Sequence, residues 1–286
     1  MFFRAKICTS QATLAACIWF ASVPSSAAPA GQLTSVGDHR LFLNCSGQGS
    51  GPTVILEAGA GATSSNWAKV QSQLETSARV CSYDRAGSGK SDKPLVLLTE
   101  DSIVPDLHQL LVNAGVRGPY VLVAHSMGGI YVRAFATRYP HLVQGLVLVD
   151  SSHEEQLNRY TAISTGLGER FATQEGRSTY EIAYQTYGQL RPGRTLRWHL
   201  DVPLIVIEHK RPGPEGARPM PGQNEEEANK VEAAWHEMQL DLVHRSKYGE
   251  LREAKGGHLI PDEQPELVSR SVVDVLNRIK ALAAKR

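Results

Sequence analysis

The chain of 286 residues contains no internal repeat, low-complexity tract or heptad run, which excludes solenoid and coiled-coil architectures. It has no excess of charge of either sign. Its 30 Lys and Arg stand against 29 Asp and Glu, and the net charge of +1 gives no electrostatic reason to expect nucleic acid or an acidic membrane surface as a partner. A hydrophobic fraction of 42% and a charged fraction of 21% are typical of a globular domain rather than a disordered chain.

The first thirty residues differ in character from the rest of the chain. Arg4 and Lys6 give a positive start, residues 12–23 form an uncharged apolar run, and small residues follow at 26–30. The run is shorter than the ~20 residues of a membrane-spanning helix, and the layout is that of a secretory signal peptide. We therefore expect residues 1–30 to be removed and the chain to be exported to the periplasm or secreted. No transmembrane span is predicted.

Cysteine is scarce, with four residues in the chain. Cys17 ends the segment 14–17, which resembles a lipoprotein box, but the bulky apolar residues after it are unlike a polar tether, so cleavage without a lipid anchor is favoured. Loss of the signal peptide removes Cys8 and Cys17 and leaves Cys45 and Cys81, an even number that permits one disulfide in an oxidising compartment. Their spacing is not that of metal ligands, and the sequence calls for no metal and no cofactor.

Short apolar runs alternate with helical segments from about residue 33 onward. The predicted strands are residues 39–45, 53–56, 79–83, 120–124, 145–149, 203–207 and 250–254. The predicted helices are residues 106–114, 130–139, 226–245 and a terminal helix that begins near Pro265. Continuous apolar strands are buried on both faces, and their alternation with helices predicts an α/β fold with a doubly wound, mostly parallel sheet.

Two segments interrupt this alternation. Residues 151–202 contain no convincing strand and are too long for a bare connection in a compact domain, so we expect them to fold as a small helical lid. Residues 210–223 are polar and rich in proline and glycine, which is typical of a mobile surface loop.

The strongest chemical signal is the segment Ala124-His125-Ser126-Met127-Gly128-Gly129, which lies between a predicted strand and a predicted helix. A serine on so sharp a strand-to-helix turn projects from the carboxyl edge of the sheet, and the close backbone approach requires small neighbours. The sequence therefore predicts Ser126 as a nucleophile.

A nucleophilic serine needs a base and an acidic group that orients the base. His258 follows two glycines, comes after the last predicted strand and is the last histidine in the chain. That position matches the order serine, acid, histidine of one class of hydrolases. We therefore predict His258 as the base.

With these motifs the chain resembles the α/β-hydrolase superfamily, and within it the serine esterase and lipase-like branch. The resemblance extends from about residue 33 to the C-terminus and rests on residues 56–61 with Trp67, 83–91, 119–129, 146–150 and the segment from His258 to Pro265. It implies an eight-stranded sheet, one domain over residues 31–286 with the lid inserted at 151–202, and an acyl-serine mechanism.

The resemblance also implies an oxyanion hole made by two backbone N–H groups. Met127 supplies one because it follows the nucleophile, and Ala60 supplies the other from the loop after the third strand. Two such donors stabilise the developing negative oxygen by ~3 kcal/mol each. Glu57 departs from the family pattern, and we expect its side chain to point away from the oxyanion.

Two residues are candidates for the acid. Asp150 follows the strand that ends at Val149, a position used by some dehalogenase-like relatives, although it could instead cap the first lid helix. Glu208 stands at the commoner position, after the strand 203–207. Asp150 is favoured and Glu208 is kept as the alternative.

The family's sheet order also places the strands of Cys45 and Cys81 side by side, which favours a disulfide between them; the alternative is two buried free thiols.

The resemblance implies hydrolysis of a small-molecule carboxylic ester. Thioester, lactone, amide or carbon–carbon bond cleavage on the same triad remains open, because the fold does not fix the substrate. A non-catalytic small-molecule receptor is the alternative from another class.

Overall fold

The computed structural model describes residues 31–93, 98, 100–164, 166, 199–210 and 223–285. The signal peptide predicted at 1–30, most of the lid predicted at 151–202 and most of the loop predicted at 210–223 lie outside the described residues, and these stay predictions. Within the part of the chain that is described, no helix is long and apolar enough to cross a lipid bilayer.

The described residues form an eight-stranded sheet, as predicted. Its strands are β1 (Gln32–Ser35), β2 (Arg40–Ser46), β3 (Thr53–Glu57), β4 (Val80–Tyr83), β5 (Tyr120–His125), β6 (Val143–Val149), β7 (Leu204–Glu208) and β8 (Gly249–Glu253). The spatial order is β1-β2-β4-β3-β5-β6-β7-β8. The pairs β1–β2 and β2–β4 are antiparallel, and every other pair is parallel. The mostly parallel sheet is thereby confirmed.

Helices cover both faces of this sheet. They are α1 (Ala68–Leu74), α2 (Glu100–Asn113), α3 (Gly128–Arg138), α4 (Gln156–Ile163), α5 (Glu225–His244), α6 (Ile260–Glu263) and α7 (Pro265–Ala283). One hydrophobic core joins the sheet to α2, α3 and α5, and a second joins its other face to α1 and α7. The helix α7 begins with a proline, and Val268, Val272 and Val275, three or four residues apart, are fully buried.

The predicted disulfide is confirmed. Cys45 of β2 and Cys81 of β4 are partners in the antiparallel register and are bonded to each other. Because β2 belongs to the antiparallel part of the sheet and β4 begins the parallel part, the bond joins these two parts covalently.

The carboxyl ends of five parallel strands converge at one edge of the sheet, where doubly wound folds bind their ligands. The residues that follow them are Ala58 after β3, Ser126 after β5, Asp150 after β6, His209 after β7 and, one loop further, His258 after β8.

Candidate active site

Ser126 occupies a strained turn between β5 and α3. Its φ of 52° lies in the left-handed region, which costs an L-residue roughly 1–2 kcal/mol. Two hydrogen bonds fix the turn: the Ser126 N–H donates to the Val149 carbonyl at 3.0 Å, and the Gly129 N–H donates to the Ser126 carbonyl at 3.0 Å. The structure thus places Ser126 on the sharp turn that the sequence predicts.

The two glycines after Met127 are required by close contacts. A Cβ on Gly128 would lie 2.6 Å from the carbonyl oxygen of Ala58, and a Cβ on Gly129 would lie 1.5 Å from Oγ of Ser151. Because neither distance leaves room for a side chain, glycine at 128 lets the turn approach the loop after β3, and glycine at 129 lets it approach Ser151 after β6.

The structure brings Ser126, His258 and Asp150 together. Nε2 of His258 lies 3.0 Å from Oγ of Ser126, and Nδ1 of His258 lies 2.6 Å from Oδ2 of Asp150. The ionised carboxylate only accepts, so Nδ1 carries the hydrogen and Nε2 is left to accept the serine proton. This is the geometry of a nucleophile, its base and the acid that orients the base.

The carboxylate of Asp150 is buried and accepts hydrogen bonds from three residues. Besides His258, Nε1 of Trp235 donates to Oδ1 at 2.8 Å, and the backbone N–H and Nδ1 of His209 donate at 3.1 and 3.0 Å. Burial raises the pKa of Asp150, but the hydrogen bonds from His209 and His258 outweigh burial and hold the pKa well below its usual range. Asp150 is therefore ionised and fixed in orientation.

Asp150 is not a helix cap, which was the other interpretation of this residue. The helix α4 begins at Gln156, and the N-cap residue of that helix is Glu155. Like Ser126, Asp150 has a positive φ, here 41°. Its N–H donates to the Ile207 carbonyl at 2.6 Å, so the turn after β6 is tied to β7.

Glu208, the alternative acid, is placed elsewhere. It lies on the same face of β7 as Leu204 and Val206, and these two residues pack in the core that includes Leu242 of α5. The Glu208 carboxylate lies 2.7 Å from Nδ1 of His236. The described contacts of His258 are with Asp150, Ser126 and the aromatic rings beside it, and Glu208 is not among them.

His209 is a site residue that the sequence analysis missed. Its Nδ1 faces Asp150 and its Nε2 lies 2.9 Å from Oε2 of Glu232 on α5. Burial lowers the pKa of His209, but the hydrogen bonds to the two carboxylates more than offset burial and raise it to about 10. A histidine directly after the apolar strand β7 was the available signal, since that position lies at the same sheet edge as Asp150.

The two predicted oxyanion donors come from different elements, Met127 from the start of α3 and Ala60 from the loop after β3. Met127 is the N-cap residue of α3, so its N–H stands at the positive end of the helix dipole. Ala60 lies in the loop after β3. Among the described residues, neither N–H donates to a protein acceptor.

Arg85 braces the loop that carries Ala60. The guanidinium is buried and donates from Nη1 to the Ala58 carbonyl at 2.6 Å and from Nη2 to the Gly59 carbonyl at 2.5 Å. It also pairs with Glu57, which Tyr83 contacts as well. Burial raises the pKa of Glu57, and the charge of Arg85 partly offsets that effect. The carboxylate that departs from the family pattern is thus held by a buried cation.

His125 supports the loop that carries His258. Its Nε2 donates to the His258 carbonyl at 2.7 Å, and the two rings lie 4.7 Å apart between centroids. Burial lowers the pKa of His125 to about 4, with the neighbouring His258 as a second cause. His125 is therefore neutral at pH 7 and adds no charge beside the base.

A pocket of about 170 Å³ opens beside Ser126 and His258. Small residues form one wall, including Ala58, Gly59 and Ala60. Ligand pockets for drug-sized molecules are typically ~300–1,000 Å³, so this one fits a compact substituent. Within the described ranges, no group of three or more His, Cys, Asp and Glu side chains is arranged to hold a metal ion.

Comparison with known proteins identifies the fold. The model of a family described as "alpha/beta hydrolase fold" matches residues 52–185. A protein of Gibberella zeae named as an AB hydrolase superfamily protein is 38% identical over 108 residues, which are 36% of this chain and 34% of that protein. The aligned regions span 40% or less of the length of the first two curated relatives.

Two solved structures are similar over nearly their whole length. A thermophilic esterase from Thermogutta terrifontis has a TM-score of 0.62 at 19% identity, covering 87% of this chain and 99% of the esterase. The enol-lactonase from Burkholderia xenovorans LB400 has a TM-score of 0.60 at 18% identity, covering 86% and 100%. At such identities the likeness shows the fold alone. The family model and the shared sheet architecture agree that the chain has the α/β-hydrolase fold.

Proposed function

We propose that the protein is a serine hydrolase that cleaves carboxylic esters through an acyl-serine intermediate. The observation that carries the proposal is the chain of two hydrogen bonds from Ser126 through His258 to the buried Asp150. A serine hydroxyl is a weak nucleophile until an adjacent base takes its proton. In this arrangement His258 is the base, and Asp150 is the group that orients it.

The proposed reaction has two steps. His258 takes the Ser126 proton as Oγ attacks the ester carbonyl, and the backbone N–H groups of Ala60 and Met127 stabilise the oxyanion. The imidazolium then gives the proton to the departing alcohol, which leaves an acyl-serine. In the second step water is activated by the same histidine, attacks the acyl group and restores free Ser126.

The serine favours this reaction over others on the same fold. An aspartate at position 126 would have favoured a dehalogenase or an epoxide hydrolase. Lactone, thioester, amide and carbon–carbon cleavage share the acyl-serine step, and the fold does not choose among them. The compact pocket beside Ser126 supports an ester with one small arm.

A panel of p-nitrophenyl esters from acetate to dodecanoate tests the proposal. We expect turnover to be highest with short acyl chains and to be lost in Ser126→Ala. Ser50→Ala is the matched control, because Ser50 is exposed in a turn away from the site. Binding of an ester without turnover by the wild type would support the receptor alternative and contradict the proposal.

We also propose export of the protein after removal of residues 1–30, on the basis of the charge and apolar pattern of that segment. The full chain expressed in a bacterial host should yield a mature protein outside the cytoplasm, with an N-terminus at residues 27–31. N-terminal sequencing of cell fractions checks this, and an uncleaved chain found only in the cytoplasm would refute it.

A further inference from the structure

We infer that His209 is a positioning residue of this site: as a permanent cation between Asp150 and Glu232, it fixes the triad carboxylate and sets how strongly that carboxylate supports a protonated His258. The inference rests on the proposed serine hydrolase function for its catalytic meaning. The protonation of His209 and its effect on the titration of His258 can be measured without turnover.

The contacts of His209 with two ionised carboxylates assign its charge. Its Nδ1 lies 3.0 Å from both oxygens of Asp150, and its Nε2 lies 2.9 Å from Oε2 of Glu232. Ionised carboxylates only accept hydrogen bonds, so both ring nitrogens must donate, and a histidine that donates from both nitrogens is the imidazolium. The raised pKa of His209 agrees with this assignment.

Apart from Nδ1 of His209, which lies equally close to both, the two oxygens of Asp150 have different partners. Oδ2 faces His258 at 2.6 Å, while Oδ1 receives Trp235 and the backbone N–H of His209. Since His209 and Trp235 hold the carboxylate from behind, rotation away from His258 would break at least two hydrogen bonds. This is why we assign His209 a positioning role rather than a place among the reacting groups.

The charge of His209 must also act on the base. The positive charge of His209 partly neutralises the Asp150 carboxylate and so weakens its attraction for an imidazolium at His258. A nearby charge shifts the pKa of a titratable group in this way. Glu232 opposes this effect because it returns one negative charge to the group. Asp150, His209 and Glu232 together carry a net charge of −1. Part of that charge lies on Glu232, on the opposite side of the His209 ring from Asp150.

Other ionisable groups packed around the site leave this balance in place. Glu208, which precedes His209 in the chain, has its carboxylate 2.7 Å from Nδ1 of His236, and both groups are unchanged in the variants below. His125, which packs on His258, is neutral at pH 7 because its pKa is about 4. Asp262 of α6 lines the pocket beside His258, acts on His125 through its charge and is unchanged in the variants below.

The test compares His209→Gln with Glu232→Gln, because the two substitutions change the local charge in opposite directions. His209→Gln removes a positive charge and should move the titration midpoint of His258 to higher pH. Glu232→Gln removes a negative charge and should move it to lower pH, each by on the order of one pH unit. Glu237→Gln is the matched control, since it makes the same change on an exposed position of the same helix.

Two readouts follow the shift. Nitrogen-15 NMR of histidine-labelled protein records the titration of His258 and the protonation of His209 directly, whether or not any ester is turned over. The acid limb of the kcat/KM profile should move in the same directions with an ester substrate. If Ser126→Ala retains full activity, the proposed function fails while the NMR result still decides the role of His209.

Opposite shifts in the two variants, with His209 protonated in the wild type from pH 5 to 9, support the inference. A fall in activity with no shift in either variant would show a purely structural role and overturn it, as would shifts in the same direction. If His209→Gln does not fold, Glu232→Gln decides alone, because the Glu232 side chain is more exposed than that of His209. An unchanged titration midpoint of His258 in Glu232→Gln overturns the inference.

Discussion

Ser126 and Asp150 stand next to each other at the ends of neighbouring parallel strands, and both have left-handed backbone conformations, with φ values of 52° and 41°. The residues before them, His125 and Val149, are register partners in β5 and β6. A left-handed L-residue is strained, and such strain persists only where the surrounding structure enforces it. Here it turns Oγ of Ser126 and the carboxylate of Asp150 toward the same residue, His258.

The choice of acid can be tested with a pair of substitutions. Asp150→Asn keeps the shape but offers an amide to Nδ1 of His258, which favours the wrong tautomer, and kcat should fall about 10⁴-fold. Glu208→Gln should cost less than tenfold, since Glu208 contacts His236. Steady-state ester hydrolysis by both variants decides the question, and the reverse pattern would assign the role to Glu208.

The sequence predicted those parts of the site that depend on local pattern or on chain order. Ser126 is defined by a strand, a turn and a helix within a dozen residues, and His258 by its place before the last helix. Asp150 was favoured over Glu208, but the sequence left Glu208 open, because both residues stand at the ends of apolar strands and only the direction of the side chain distinguishes them. Trp235 lies 85 positions from Asp150, and their contact has no local signature.

The elements that escaped prediction are those with a weak hydrophobic pattern. Strand β1 has four residues, three of them exposed, and pairs only at the edge of the sheet. Helix α1 has seven residues, of which Val70 and Leu74 are the buried apolar ones. Such short elements are stabilised by tertiary packing rather than by their own periodicity.

Stability should depend on His209 in a pH-dependent way. Its pKa is raised from 6.5 to about 10, so its contribution to the free energy of unfolding is fully present below pH 6.5 and is lost as the pH rises toward 10. Urea unfolding at pH 6, 8 and 10 should therefore show a difference between wild type and His209→Gln that is largest at pH 6. A difference that grows with pH would contradict the sign of this shift.

Arg85 should support catalysis through the loop after β3. Arg85→Gln leaves Glu57 as an uncompensated buried charge and should destabilise the fold by about 3–5 kcal/mol. The double variant Glu57→Gln/Arg85→Gln should recover much of the stability. Its kcat should remain about 10²-fold low, because the Ala58 and Gly59 carbonyls lose their donor and the oxyanion loop is no longer fixed.

Urea unfolding and ester hydrolysis of the same preparations separate these two effects. Full activity in the stable double variant would show that Arg85 has no part in shaping the oxyanion loop.

The bond between Cys45 and Cys81 should stabilise the fold. The two residues are 36 positions apart, and closure of a loop of that length corresponds to roughly 3–4 kcal/mol in the chain-entropy model. Chemical unfolding of Cys45→Ala/Cys81→Ala against the oxidised wild type measures this difference. Thiol titration of the denatured, non-reduced mature protein should find no free thiol, and two free thiols per chain would show that the bond does not form in solution.

The nucleophile is tested most directly by covalent capture. A fluorophosphonate reacts with a serine activated by its base, so incubation with wild-type protein, followed by digestion and tandem mass spectrometry, identifies the modified residue. We expect one equivalent of label on Ser126, the loss of ester hydrolysis in step with labelling, and no label in Ser126→Ala. Stoichiometric label on another serine, or unchanged ester hydrolysis after Ser126 is fully modified, would contradict the account.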